Sequence, residues 1–372
     1  MTKSVLVTGG AGFIGSALVR ALMDQGGWLL CNLDRLGYAA SPQAIAGLDQ
    51  RPGYRFVKMD IRERDSVARV LEEQRPSVVF HLAAETHVDR SLDDPAPFVA
   101  HNIEGTFQLL EAVRGYWGRL SASERAGFRF VHVSTDEVFG SLGSEGLFVP
   151  ESPYDPSSPY SASKAAADHL VMAWHRSYGL PALVCHPTNT YGPFQFPEKL
   201  IPLMIIKVLS GDPLPVYGEG LNRRSWLFVE DHVDALRAAA ERGEPGGRYL
   251  IGPAQDHSNL EVVEFLCDLL DRHAKDLPKR PSRNLITFVA DRPGHDWRYA
   301  VDRKATEAAL GWRARRDLAS GLEKTVRWYL ENRSWWQDIL ERRYRGERLG
   351  QPVTPAQDGG KLGRDGTVDA AR

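Results

Sequence analysis

A tyrosine and a lysine four residues apart have the types and the spacing needed for proton transfer. Tyr160 and Lys164 lie in a segment that begins like a helix, with serine as a cap and proline in the first turn. On a helix, side chains at this spacing are neighbours, about 6 Å apart along the axis. A nearby ammonium favours the phenolate, so we expect Lys164 to lower the pKa of Tyr160 and Tyr160 to act as a base. Tyr54 and Lys58 have the same spacing but lie in a strand pattern, where four residues span about 13 Å, so we interpret Tyr54 as structural.

An acidic pair adds a second kind of proton chemistry. Asp136 and Glu137 follow Thr135 directly after an apolar strand pattern that ends at Ser134. Ligands bind at the carboxyl ends of the strands in an open parallel sheet, so this position favours a site. Taken alone, such a triplet is more often a solvated turn. Beside a tyrosine base and a dinucleotide site, it indicates one group that takes a proton and one that gives a proton. Oxidation of an alcohol to a ketone acidifies the neighbouring C–H bond, so loss of water across the next bond becomes feasible.

Three glycines at three-residue spacing near the start of the chain predict a dinucleotide site. Gly9, Gly12 and Gly15 open a helical pattern directly after the first strand pattern. Only glycine lets backbone N–H groups approach a diphosphate closely, and the helix N-terminus supplies a positive potential. Asp34 ends the second strand pattern, 19 residues after Gly15, where a carboxylate accepts the ribose hydroxyls and repels a 2′-phosphate. This favours NAD over NADP, although the adjacent Arg35 weakens the exclusion.

The predicted elements bring these residues to one edge of a sheet. Strand patterns alternate with helical patterns, which implies parallel pairing because a parallel connection crosses back over the sheet, usually as a helix. The strand patterns cover Val5–Val7, Trp28–Asp34, Arg55–Met59, Val78–Leu82, Phe128–Ser134 and Ala182–His186, and the helical patterns cover Gly12–Gln25, Asp65–Gln74, Phe98–Arg114 and Pro159–Tyr178. We therefore predict an α/β fold with a doubly wound parallel sheet of the Rossmann type. Asp60 and Ile61, just after the third strand pattern, are candidates to contact the adenine edge.

A change in the sequence pattern near residue 187 divides the chain into two predicted parts. We predict a NAD-binding domain over residues 1–186 and a smaller mixed α/β substrate-binding lobe over residues 187–335, where prolines punctuate the sequence and Leu200–Leu209 has a helical pattern. Trp226–Ala240 resembles a strand feeding a helix that returns to the first domain, so we expect the two parts to be interleaved. Residues 346–372 hold six glycines and few apolar residues, so we expect a disordered tail.

Composition excludes several classes of function. The 372-residue chain carries 46 Lys and Arg against 48 Asp and Glu, a formal charge of -2, which disfavours nucleic-acid and membrane-surface roles. We expect neither a signal peptide nor a membrane span, because no apolar run approaches about 18 residues. Three widely spaced cysteines fit neither a disulfide framework nor a metal cluster, so we expect a reducing, cytoplasmic location. His101, His132 and His186 lie on separate elements without a short ligand spacing, which favours packed histidines over a metal site.

Several longer motifs resemble the extended short-chain dehydrogenase/reductase superfamily. They are GGAGFIG at residues 9–15, HLAAETHVDRS at 81–91, HVSTDEV at 132–138, YSASK at 160–164, YGP at 191–193, FPEKLIP at 196–202 and DRPGHD at 291–296. The resemblance extends from Val5 to about Trp336. Within the superfamily, the Thr-Asp-Glu triplet makes the chain most similar to the dTDP-glucose 4,6-dehydratase family, because related 4-epimerases and decarboxylases of nucleotide sugars generally lack that aspartate.

The resemblance implies a reaction cycle on a nucleotide-diphosphate hexose without net redox change. Tyr160, assisted by Thr135 and Lys164, would remove the C4 hydroxyl proton while hydride passes to NAD. Glu137 would take the C5 proton and Asp136 would protonate the departing C6 hydroxyl, which releases water. Return of the hydride to C6 would then give the 4-keto-6-deoxy sugar.

The resemblance also implies the residues that bind each ligand. Those implied for NAD are Gly9, Gly12, Phe13, Ile14, Gly15, Asp34, Arg35, Leu36, Asp60, Ile61, Leu82, Ala83, Ala84, Tyr160 and Lys164. Those implied for the nucleotide sugar are Thr86, Asn189, Lys199, Leu200, Pro215, Tyr217, Arg224, Asn259, Asp291 and His295. Arg224 is the natural diphosphate partner, because its planar fork suits bidentate contact with phosphate oxygens. The family further suggests a homodimer that pairs the helices at Phe98–Arg114 and Pro159–Tyr178.

Four departures from the family pattern leave the substrate open. They are His101, His186, Thr190 and Ser225, each on the nicotinamide or substrate side. A UDP-sugar 4,6-dehydratase, a nucleotide-sugar 4-epimerase or decarboxylase, and a non-catalytic dinucleotide-sensing module are the alternatives. An epimerase has no leaving hydroxyl to protonate, so Asp136 favours a dehydratase. Retention of Tyr160, Lys164 and both carboxylates disfavours a sensor.

Overall fold

A parallel sheet of seven strands forms the centre of the protein, as shown by a computed structural model that describes residues 3–342 and residue 344. The strands are β1 (Lys3–Thr8), β2 (Trp28–Asp34), β3 (Tyr54–Lys58), β4 (Val78–His81), β5 (Arg129–Val133), β6 (Ala182–Pro187), β7 (Asn189–Tyr191), β8 (Leu214–Tyr217), β9 (Arg223–Arg224), β10 (Trp226–Phe228), β11 (Arg248–Ile251), β12 (His257–Ser258) and β13 (Ile286–Val289). The helices are α1 (Phe13–Gln25), α2 (Arg64–Gln74), α3 (Val88–Asp93), α4 (Ala96–Phe98), α5 (Gly105–Arg119), α6 (Ala122–Gly127), α7 (Pro159–Tyr178), α8 (Leu200–Ser210), α9 (Val229–Arg242), α10 (Asn259–His273), α11 (Lys304–Leu310), α12 (Leu318–Glu331) and α13 (Arg333–Arg342).

The sheet order is β11-β6-β5-β4-β1-β2-β3, and every neighbouring pair is parallel. The predicted doubly wound Rossmann-type sheet is therefore confirmed. The order reverses between β1 and β4, where Thr8 pairs with His81. At such a reversal the two flanking connections leave in opposite directions and open a crevice at the carboxyl ends of the strands. The loops that follow β1, β2, β4 and β5 therefore meet at one edge.

The two faces of the sheet are covered by different helices. Val5 and Val7 point to one face, where they pack in a buried cluster with residues of α1 and α9. Leu6 points to the other face and packs with residues of α2, α5 and α7. This follows from the alternation of side chains along a strand, because successive residues face opposite layers of helices.

The second part of the chain builds a smaller lobe around its own apolar cluster. Helices α8, α10, α12 and α13 contribute to that cluster. Three two-stranded sheets lie here: β7 with β10 and β8 with β13 are parallel, and β9 with β12 is antiparallel. None of the described helices is both long and apolar enough to cross a membrane.

Several predicted bounds differ from the structure. The helical pattern at Phe98–Arg114 is a π-helical turn over Val99–Glu104 followed by α5, which continues to Arg119. Trp226–Ala240 is β10 followed by α9, and α9 packs against α1 on the main sheet. Strand β11 was not predicted, and it joins the main sheet from within the range assigned to the substrate lobe. The predicted tail at residues 346–372 lies outside the described residues.

Candidate active site

A cleft of about 590 Å³ follows the carboxyl edge of the sheet and continues between the sheet and the second lobe. The loops after β1, β2, β4 and β5 line one part, and residues of β7, β8 and the starts of α8 and α10 line the other. Almost all of the residues that the sequence analysis assigned to the site line this cleft. The exceptions are Leu36, Asp136 and Asp291.

The glycine loop after β1 leaves room for a diphosphate. A Cβ at Gly9, whose φ is +73°, would lie 2.6 Å from the backbone N of Ala83, and a Cβ at Gly15 would lie 2.1 Å from the carbonyl O of Gly9. These two glycines are therefore required by the packing of the chain on itself. A Cβ at Gly12 would meet only the carbonyl O of Gly9, at 3.2 Å, and Gly12 lines the cleft at the start of α1. The absence of a side chain at Gly12 leaves backbone N–H groups open to a ligand phosphate, which fits a dinucleotide.

The carboxylate of Asp34 is held firmly at the end of β2. Its Oδ2 accepts a hydrogen bond of 2.9 Å from the N–H of Ala11, and its Oδ1 accepts one of 2.7 Å from the N–H of Leu36. Leu36 thus contributes its backbone to this position, and its side chain does not line the cleft. Asp60 and Ile61 do line the cleft, and both oxygens of Asp60 accept hydrogen bonds from Arg62.

Tyr160 and Lys164 lie in the first turns of α7, which Ser158 caps by accepting a hydrogen bond from the N–H of Ser161. Both side chains line the cleft, together with Thr135. The Nζ of Lys164 donates a hydrogen bond of 2.8 Å to the carbonyl O of Val133 at the end of β5. This bond fixes α7 against the strand that carries the acidic triplet.

The expected lowering of the Tyr160 pKa is wrong for the free protein. Burial, followed by the nearby Glu137 carboxylate, raises the pKa of Tyr160 well above its usual range, and a hydrogen bond with Thr135 opposes the rise. Burial also lowers the pKa of Lys164 to about 8. The lysine ammonium donates to a backbone carbonyl, and desolvation of the phenol outweighs its influence.

The two neighbouring carboxyl groups have different surroundings. Glu137 lines the cleft, whereas Asp136 is only 1% exposed and does not line it. Burial, followed by the Glu137 carboxylate, raises the pKa of Asp136 well above its usual range. Burial also raises the pKa of Glu137, but the cationic side chains of Arg292 and Arg224 oppose that rise. Of the pair, Asp136 is therefore the group whose protonated form is the more strongly favoured.

Cationic side chains gather at the substrate end of the cleft. The Nζ of Lys199 donates a hydrogen bond of 2.8 Å to the carbonyl O of Thr86. The guanidinium of Arg224 donates to the carbonyl oxygens of Arg223 and Asp296, each at 2.8 Å, and lies 4.2 Å from the ring centroid of Tyr299. These contacts fix Lys199 and Arg224 in the cleft wall.

The other residues predicted to bind the sugar nucleotide lie around these cations. Asn189, Leu200, Pro215, Tyr217, Asn259 and His295 line the same part of the cleft. Asp291 lies outside the lining and accepts a hydrogen bond of 2.6 Å from Nδ1 of His295. It therefore orients a residue that faces the cleft.

Known proteins with this arrangement identify the family. The family model described as GDP-mannose 4,6 dehydratase matches residues 6–325. The dTDP-glucose 4,6-dehydratase of Neisseria meningitidis serogroup B is 51% identical over 351 residues, which cover 94% of this chain and 99% of that protein. The chain belongs to this family, among the dTDP-glucose 4,6-dehydratases.

Solved structures agree with this family assignment. The crystal structure of DesIV, the dTDP-glucose 4,6-dehydratase of Streptomyces venezuelae, contains NAD and is 40% identical, with a TM-score of 0.81 over 90% of this chain and 99% of that one. The UDP-glucuronic acid 4-epimerase of Bacillus cereus, solved with UDP-glucuronic acid and NAD, has a TM-score of 0.78 but only 26% identity over 88% of this chain and 99% of that one. The fold alone does not separate the two activities, and sequence identity favours the dehydratases.

The sequence analysis of this dehydratase missed a half-buried ion pair in the cleft. The Nη1 of Arg292 donates a hydrogen bond of 2.6 Å to Oδ1 of Asp89, and Tyr217 donates one of 3.2 Å to Oδ2 of the same carboxylate. Arg292 lines the cleft between Asp291 and His295, the two residues that were assigned. The signal was present in the DRPGH motif, but the pairing of Arg292 with a residue about 200 positions earlier is visible only in the fold.

A buried polar network lies behind α7. Asp168, one turn beyond Lys164 on α7, is fully buried. Its carboxylate accepts hydrogen bonds from the hydroxyls of Ser134 at 2.7 Å and Tyr154 at 2.9 Å. The Nε2 atoms of His132 and His186 each lie 3.1 Å from its oxygens. These donors keep the pKa of Asp168 far below its usual range despite burial, so a fixed negative charge stands near Lys164.

The remaining sequence interpretations concern residues outside the acid–base set. Tyr54 lies in β3, as predicted, and its hydroxyl accepts a hydrogen bond of 3.0 Å from Asn32. His101 lines the cleft, and its Nδ1 lies 2.8 Å from the carbonyl O of Pro97. Cys31, Cys185 and Cys267 are buried and unpaired.

Proposed function

We propose that this protein is an NAD-dependent hydro-lyase that converts dTDP-glucose to dTDP-4-keto-6-deoxyglucose. One observation carries the proposal: Asp136 and Glu137 are adjacent carboxyl groups, of which the first is buried with its pKa raised well above the usual range and the second faces a cleft that also holds Thr135 and Tyr160. Two titratable groups whose pKa values are driven apart are suited to act as acid and base. Membership of the dehydratase family supports the same reaction.

The residues at the sheet end of the cleft would hold NAD. The N–H groups in the first turn of α1, which Gly12 leaves uncovered, would bind its diphosphate, and the carboxylate of Asp34 would accept its ribose hydroxyls. Bound NAD supplies a hydride acceptor and, in its oxidised form, a positive charge that favours the phenolate of Tyr160.

In the first step, Tyr160 takes the proton of the C4 hydroxyl. Thr135 shares a hydrogen bond with Tyr160, so the two hydroxyl groups lie side by side and can both contact the C4 hydroxyl of the sugar. The ammonium of Lys164 supplies positive charge behind the phenol and stabilises the phenolate as it forms.

In the second step, water leaves across C5 and C6. Glu137, which lines the cleft, takes the C5 proton, made acidic by the ketone at C4. Asp136 gives its proton to the departing hydroxyl. Its Oδ2 has no hydrogen-bond partner in the described part of the protein, which leaves this atom free to meet the C6 hydroxyl once the side chain turns toward the cleft. Glu137, once its proton has exchanged with water, returns a proton to C5, and C6 would receive the hydride that NAD had accepted from C4, which gives the 6-deoxy product.

The diphosphate of the substrate would lie against Arg224, Arg292 and Lys199. These three side chains line the same part of the cleft, and burial lowers the pKa values of both Lys199 and Arg224. A diphosphate brings negative charge next to these desolvated cations, so its binding is favourable. The planar guanidinium groups suit bidentate contact with phosphate oxygens.

The test is incubation of the purified protein with dTDP-glucose in deuterium oxide. We expect a 4-keto product, detected by its ultraviolet absorbance in base, with one solvent deuterium at C5. UDP-glucose in a parallel reaction should be converted far more slowly. Inversion at C4 without a keto product would indicate an epimerase, and binding of NAD without conversion of either sugar nucleotide would indicate a sensor. Either result would refute the proposal.

The proposal includes a cytoplasmic homodimer. Phe107 on α5 and Trp174 on α7 stack with ring centroids 5.9 Å apart, and Tyr178 at the end of α7 stacks on Trp174 at 5.5 Å. Phe107 and Tyr178 are exposed, so these two helices present aromatic surface that pairing with a second copy would bury. The molar mass from light scattering tests this, and substitution of Phe107 by aspartate should give a monomer.

A further inference from the structure

An ion pair lies in the wall of the dinucleotide end of the cleft. Arg35 follows Asp34 at the end of β2, and its Nη2 contacts Oε1 of Glu85 in the loop after β4. Both side chains line the cleft. The side chain of Glu85 is 10% exposed and that of Arg35 is 37% exposed, so the carboxylate is the more enclosed partner.

Glu85 is held in place by its backbone. Its N–H donates a hydrogen bond of 2.8 Å to Oδ1 of Asn102, and its carbonyl O accepts one of 3.0 Å from Nδ2 of the same residue. The Nδ2 of Asn102 also donates to the hydroxyl of Ser163 on α7, at 2.8 Å. The loop that carries Glu85 is thus bound to the helix that carries Tyr160. Glu85 is therefore the fixed partner of the ion pair, and the longer side chain of Arg35 reaches to it.

The ion pair of Arg35 with Glu85 affects whether the site can bind NADP as well as NAD. An arginine close to the acidic residue at the end of the second strand is the group that accommodates a 2′-phosphate in this kind of fold. The sequence therefore contains a carboxylate, Asp34, that excludes NADP and an adjacent arginine that would admit it. The neighbouring Arg62 is also held by a carboxylate, since it donates to both oxygens of Asp60.

We infer that Glu85 sets the cofactor preference by holding Arg35 in an ion pair, so that Arg35 is not available to a 2′-phosphate beside Asp34. To bind NADP, Arg35 would have to break a charge-assisted contact with a largely buried carboxylate, and that carboxylate would be left unpaired. This inference rests on the dinucleotide site of the proposed function, and it adds a residue of the loop after β4 to the determinants of specificity.

The experiment compares NAD and NADP binding by calorimetry to the nucleotide-free full chain and to three variants, Glu85→Gln, Arg35→Ala and the double variant. We expect Glu85→Gln to bind NADP roughly tenfold or more tightly than the parent, the size of one charge-assisted hydrogen bond, with a far smaller change for NAD. The gain should disappear in the double variant, because it depends on the released Arg35. Arg35→Ala alone should leave NADP binding unchanged.

Glu104→Gln is the matched control, because it removes a negative charge from an exposed position near Asn102. It should not improve NADP binding. An unchanged NADP affinity in Glu85→Gln, or an equal gain in the double variant, would overturn the inference. If Glu85→Gln does not fold, loss of NADP affinity in Arg35→Ala would still overturn it, because that loss would mean that Arg35 is already free. Failure of the parent to bind NAD would instead refute the dinucleotide site itself.

Discussion

Replacement of Asp136 by asparagine separates the two halves of the proposed reaction. Asparagine has nearly the same shape and can still accept the weak hydrogen bond of 3.4 Å from Thr135, but it has no proton to give. Burial and the Glu137 carboxylate raise the pKa of Asp136 well above its usual range, which favours the protonated form that can give the proton. The variant should therefore lose the full contribution of general acid catalysis, about 10²–10⁴ in rate, or about 3–5 kcal/mol of barrier. Oxidation at C4 should slow by much less, because Tyr160 and Thr135 are unchanged.

The assay is rapid mixing with dTDP-glucose followed by chemical quench and separation of the sugar nucleotides. In the Asp136→Asn variant, 4-keto-glucose that still bears its C6 hydroxyl should accumulate before water is lost. Glu137→Gln is the comparison, since it should block the same step and also prevent incorporation of solvent deuterium at C5. If Asp136→Asn slows oxidation at C4 as much as it slows water loss, Asp136 shapes the site without donating the proton, and the assignment of the acid is wrong.

Three further predictions concern stability and cofactor binding. Asp136→Asn should raise the thermal midpoint at pH 7. The pKa of Asp136 is higher in the folded than in the unfolded protein, so the wild type loses stability as the pH rises above the unfolded pKa of about 3.9, by up to about 1.4 kcal/mol per pH unit. The stability advantage of the variant should therefore vanish near pH 4. Gly15→Ala should destabilise the fold by about 1–3 kcal/mol, because its Cβ would lie 2.1 Å from the carbonyl O of Gly9, whereas Gly12→Ala should keep most of the stability and lose NAD affinity by calorimetry. Tyr54→Phe should leave kcat unchanged and cost about 1 kcal/mol in urea unfolding, because only its hydrogen bond with Asn32 is lost; a fall in kcat would mean that the wrong tyrosine was assigned.

The central strands of the main sheet were predictable because they are buried on both faces. Such strands are continuous apolar runs, and the bounds of Trp28–Asp34 were predicted without error. Strand β11 was missed because Arg248–Ile251 follows α9, in the part of the chain that the prolines after residue 187 assigned to the second lobe. The paired strands of the lobe, such as β9 and β12, have two residues each, so no periodicity is available to reveal them.

The candidate site was predictable where its residues are close in sequence and unpredictable where they meet across the fold. The glycine loop, the acidic triplet and the Tyr160 pair each occupy a few consecutive positions. The ion pair of Arg292 with Asp89 joins two loops that no local pattern connects. The sign of the Tyr160 pKa shift was also wrong, because spacing on a helix gives the distance to Lys164 but does not give the degree of burial, which dominates the shift.

Burial also decides which of two adjacent carboxyl groups is the acid. Asp136 and Glu137 begin one 3-10 turn, in which successive side chains point about 120° apart. This geometry sends Asp136 into the protein, where its charged form is desolvated and lies close to Glu137. Glu137 points toward the cleft, where Arg224 and Arg292 offset the same penalty. The shorter side chain would ordinarily be the stronger acid, so its assignment as the proton donor depends on the turn and on the cations opposite.

Arg292→Gln should therefore raise the pKa of Glu137 and move the acidic limb of the kcat profile to higher pH, while the same change at the exposed Arg283 should leave the profile in place. An unmoved acidic limb in Arg292→Gln would show that these cations do not set the role of Glu137.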